Sequence, residues 1–113
     1  MTTFRSEDGA LTYAHATSRC RFDVAVTRPF PVAEPGRLAR QIRQDVWRAC
    51  QRQRGFSPIV RLAPAATGWT VTAGAQIDAV FPERHVESII AGVLDDPKNR
   101  TRWLRFARPS GHV

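Results

Sequence analysis

Two segments with apolar residues at helical spacing, set among segments alternating at period two, predict an α+β fold for this chain of 113 residues. The length suits one domain. An apolar share of 42% allows a modest core without disulfides or metal. Residues 1–10 read as a flexible N-terminus, 11–108 as the single basic domain and 109–113 as a flexible tail.

Residues 11–16, LTYAHA, alternate weakly and are a candidate extra edge strand. Phe22, Val24 and Val26 alternate with polar neighbours, the pattern of a half-buried strand, which Pro29 and Pro31 are expected to end. The longest regular stretch is Glu34 to Arg54. Leu38, Ile42, Val46, Ala49 and Cys50 share one helical face there, while Arg37, Arg40, Gln44, Arg48 and Gln51 share the other. Arg43, Trp47 and Arg54 lie along a flank. Pro35 is a good first-turn residue, Glu34 sits beside the positive end of the dipole, and Gly55 supplies a stop.

Residues 57–63 and 69–77 are expected strands, joined as a hairpin by the Pro64–Gly68 turn. Gly74 marks a bulge or a close backbone approach. Glu83 to Asp95 is a second helix with a stripe of Val86, Ile89, Ile90, Val93 and Leu94; Gly92 within it suggests close packing. Residues 101–108 read as a last strand, with Leu104 and Phe106 facing one way and Trp103, Arg105 and Ala107 the other. The order strand, helix, strand, strand, helix, strand predicts a split βαβ, or ferredoxin-like, sandwich with both helices on one sheet face. The rival is an α+β fold extended by residues 11–16.

Charge is the strongest functional signal. Seventeen basic residues, sixteen of them arginine, oppose ten acidic ones, giving +7. Arginine favours bidentate contacts with carboxylate or phosphate and stacking on flat rings, although a genome's base composition also enriches it. Cys20 and Cys50 form neither a disulfide framework nor a metal spacing, so buried free thiols are expected. No apolar run is long enough for a membrane helix and no signal peptide is visible, making the cytoplasm the expected compartment.

Motifs for catalysis are missing. His15, His85 and His112 lack metal-ligand spacing, Ser57 and Ser88 lack a base, and no phosphate-cradling or dinucleotide glycine pattern occurs. Asp23 and Asp78 can approach in the fold but form no motif. The expectation is a non-enzymatic interaction domain with no cofactor and no metal. Strand phases place Arg61, Ile59, Trp103 and Arg105 on the uncovered sheet face, where a protein partner with an acidic surface, or a second copy, would dock. The alternative is nucleic-acid binding through the arginine face of the first helix together with Trp103, and a small enzyme is the second alternative. The candidate binding residues are Arg37, Arg40, Arg43, Trp47, Arg48, Arg61, Trp103 and Arg105.

Overall fold

The computed structural model describes residues 2–7, 9–15 and 21–109. Five antiparallel strands, β1 (Thr2–Glu7), β2 (Ala10–His15), β3 (Val24–Pro31), β4 (Phe56–Ala65) and β5 (Gly68–Ile77), form one sheet in the order β1-β2-β4-β5-β3. Three helices, α1 (Pro35–Cys50), α2 (Glu83–Asp95) and α3 (Pro97–Phe106), complete the α+β domain. The core lies between them and one sheet face. Val24, Val26 and Phe30 of β3, Val60 and Leu62 of β4, and Val71, Ala73 and Ala75 of β5 meet Leu38, Ile42, Val46, Ile90, Leu94 and Trp103 from the helices.

The expected α1 is present. Glu34 caps it, its carboxylate accepting from the Gly36 and Arg37 amides at 3.1 and 2.7 Å, and Pro35 occupies the first turn. The helix ends at Cys50, short of Arg54, because the Gln53 amide closes a tighter turn on the Cys50 carbonyl at 2.9 Å. Gly55 follows at φ +74°, and a Cβ there would press on the Asp78 backbone at 3.0 Å. The β4–β5 hairpin is in register from Phe56↔Ile77 to Ala65↔Gly68.

β5 lies between β3 and β4, which α1 connects, so one split βαβ unit exists. The second half departs from the ferredoxin-like expectation, because the predicted strand at 101–108 is helix α3. Its period-two reading hid an i, i+4 pair, Trp103 and Ala107, both fully buried. Asp96 starts the helix by accepting from the Lys98 amide at 2.8 Å, with Pro97 in the first turn. The Asp95–Asp96 pair is thus divided: Asp95 pairs with Arg28 at 2.8 Å while Asp96 caps the next helix.

The edge such a strand would occupy is also unsuitable for pairing. β3 does not stop at its prolines but runs through Pro29 and Pro31 as an edge strand. The Pro29 carbonyl accepts from Arg100 Nη2 at 2.9 Å and the Thr27 carbonyl from Arg28 Nη1 at 2.9 Å. These outward groups mark the side on which the prolines lack N–H donors. On the opposite side the sheet grows instead, through β2 and then β1. The residues expected to be loose therefore contain the edge strand β1, and β2 is internal.

Gly74 is a close approach: a Cβ there would stand 1.9 Å from the Val24 carbonyl oxygen. Gly92 is not, since its Cβ would meet nothing within 4 Å.

Candidate functional site

The helical layer concentrates charge on its solvent side. α1 contributes Arg37, Arg40, Arg43 and Arg48, and α3 contributes Lys98, Arg100, Arg102 and Arg105, against a single carboxylate, Asp45, within the two helices. The helices run antiparallel. The Glu34 amide donates to the Ala107 carbonyl at 2.7 Å, and farther along the Trp103 indole donates to Asp45 at 2.7 Å. Arg102 also bonds Asp45, and Arg48 approaches it at 3.7 Å. Asp45 is therefore shared between two hydrogen-bond donors and a third, nearby cation, and its one negative charge offsets only part of the positive charge of the two helices. Arg100 turns inward instead, its guanidinium 4.0 Å from the Phe30 ring centre and bonded to the Leu94 and Pro29 carbonyls.

Arg40 is the pivot of this face. A hollow of about 230 Å³ is lined by Arg37, Arg40, Gln41 and Phe106; another of about 300 Å³ is lined by Tyr13, Arg40, Arg43, Gln44 and Trp47. Arg40 thus borders both, with an exposed aromatic ring in each. Phe106 is 58% and Trp47 43% exposed. Beneath the second hollow, Phe4 and Tyr13 stack at 4.2 Å, with the Arg40 and Arg43 guanidiniums 5.1 and 5.8 Å from their ring centres. Such contacts order a guanidinium while leaving its in-plane donors usable.

Arg43 is half-buried, and its Nε is buried without a hydrogen-bond partner among the described residues. Burial lowers its pKa from the ordinary value, opposed by the Tyr13 hydroxyl. Among the described residues no carboxylate pairs with Arg37, Arg40, Arg43 or Arg105. A third hollow, of about 530 Å³, continues the face along α3 between Pro97, Lys98, Thr101, Arg102 and Arg105.

The candidates named from sequence separate into three groups. Arg37, Arg40, Arg43, Trp47 and Arg48 share α1, and Arg105 belongs to the adjoining α3. Arg61 is exposed on the other sheet face, opposite Thr12 and Thr72. Trp103 is not on that face at all: it is completely buried under α3, 6.3 Å from the Phe30 ring centre. Ile59 is likewise fully buried, with Ala14 and Gln76 of the same face also enclosed. The surface expected to receive an acidic protein or a second copy therefore loses both of its apolar anchors. A strand phase sets Arg102 and Phe106 on the face opposite Arg105, so it leaves both out of the candidate site. Helical i+3 and i+4 spacing gathers Lys98, Arg102, Arg105 and Phe106 towards one side.

Other reactive groups are held in packing or in ion pairs. Cys50 is a buried free thiol whose pKa burial pushes up, so it stays protonated, in a hollow of about 300 Å³ that His85 also lines. Cys20 and His112 lie outside the described residues. Asp23 and Asp78 do approach one another, but through Arg21, at 3.0 and 3.5 Å. Arg21 hydrogen bonding, then the Ile77 amide, holds Asp23 below the ordinary carboxylate range, making it an ion-pair member rather than a proton donor. Among the described residues no cluster of three metal-ligating side chains occurs, and no helix is long and apolar enough to cross a membrane. No protein-family model, curated protein or solved structure matches the chain.

Proposed function

We propose that this protein is a non-enzymatic interaction domain that docks a polyanionic partner on the α1–α3 face. The carrying observation is the exposure of Arg37, Arg40 and Arg48 along one side of a regular helix, continued by Arg102 and Arg105 of α3. A row of cations with one shared carboxylate attracts a chain of negative charges at long range and releases its counterions on contact. Arg61, on the far side of the sheet, adds nothing to that row.

Binding to a fluorescent heparin fragment tests the reading. The wild type is expected to bind with an affinity that falls linearly in log–log form as salt rises. The Arg37→Glu/Arg40→Glu variant should lose at least tenfold at low salt and show a shallower slope. Equal affinity of variant and wild type would overturn the proposal.

A further inference from the structure

We infer that the partner of this face is single-stranded nucleic acid, held with Arg40 on a phosphate and a base stacked on each side, against Phe106 and Trp47. The inference rests on the polyanion-docking reading and gives it a chemistry. A single strand repeats anion and flat ring in alternation. Across α1 the protein presents the complementary series: Phe106 beside Arg37 and Gln41, then Arg40, then Trp47 beside Arg43. Exposed aromatic rings are ordinary when scattered. These two both border hollows that share one guanidinium, while the other large exposed apolar side chains, Val32 and Val80, line neither.

Strandedness follows from the rings. In a duplex the bases are already stacked on each other, and Phe106 and Trp47 would face only the sugar–phosphate edge. In a single strand every base has an open face, and stacking on an aromatic side chain is tolerant of sequence. Gln41 in the Phe106 hollow carries both a donor and an acceptor for a base edge. Among the described residues no carboxylate pairs with Arg43, so its guanidinium can meet a second phosphate. An acidic peptide would satisfy the arginines but supplies no planar ring at the required alternation.

Fluorescence anisotropy with labelled oligothymidylate, the matching duplex and a polyglutamate peptide decides the matter. The single strand is expected to bind tightest. Phe106→Ala and Trp47→Ala should each weaken it about 5- to 100-fold while leaving duplex and polyglutamate binding nearly unchanged. Trp47→Phe, which keeps a ring, should restore most of the loss and serves as a folding control. Equal affinity for all three probes, or aromatic variants that bind oligothymidylate like wild type, would overturn the inference. If Arg37→Glu/Arg40→Glu still lost binding to every probe, the docking reading would stand without it. If that variant bound like wild type, both would fall.

Discussion

Trp103 shows how one side chain changes meaning with its surroundings. An exposed tryptophan beside arginines reads as a binding anchor; a buried one with its indole N–H on Asp45 is a bolt between α3 and α1. Removing the ring by Trp103→Ala is expected to cost about 3–5 kcal/mol, a large share of a small domain's stability. Trp103→Phe retains most of the volume but deprives the largely buried Asp45 of a donor, for about 1–3 kcal/mol. Urea denaturation followed by fluorescence of the remaining tryptophans would show this ranking. An unchanged midpoint in Trp103→Ala would contradict the burial. Acid titration probes two further residues. Asp23 and Asp95 are held below the ordinary value of 3.8, Asp23 by Arg21 and Asp95 by Arg28. Between that value and the folded pKa the unfolded chain binds more protons, so their contribution is present above the unfolded value and lost as pH falls through the folded one. Denaturation midpoints should drop in that window, and Arg28→Ala should lose less on acidification than wild type. An identical acid response in Arg28→Ala would refute the Arg28–Asp95 account.

At the scale of elements, periodicity was a good guide wherever one face was clearly apolar. The stripes of α1 and α2 and the hairpin of β4 and β5 are legible from the chain alone, as is the Glu34–Pro35 start of α1. The last element was not. Ten residues with one fully buried large side chain fit period two nearly as well as period 3.6, and the deciding feature is the capping pair Asp96–Pro97. β3 runs past the end its prolines suggest, because proline forbids a central strand but not an edge one. Gly92 suggests close packing from the sequence, yet it is exposed with open space beside it. Gly92→Ala should therefore stabilise the protein by about 1 kcal/mol, visible as a raised melting temperature. A fall in melting temperature would mean that α2 packs on something at that position.

At the scale of the whole molecule, one misassigned element moved a proposed surface. With 101–108 as a strand, Trp103 and Arg105 join Arg61 on the open sheet face. With it as a helix, Arg105 moves to the face already occupied by the α1 arginines, and Trp103 disappears inside. The charge row on α1 was legible because helix phase alone fixes it. Its continuation on α3, and the pairing of Phe106 with Arg40 across two helices, depend on tertiary packing that spacing does not disclose. The central claim is that position, and not total charge, governs binding. Its most direct test compares two variants with equal charge change in one anisotropy titration on a fluorescent heparin fragment at low salt: Arg40→Glu on the helical face and Arg61→Glu on the sheet face. The account predicts a severalfold or greater loss for Arg40→Glu and near wild-type affinity for Arg61→Glu; equal losses, or a greater loss for Arg61→Glu, would contradict it.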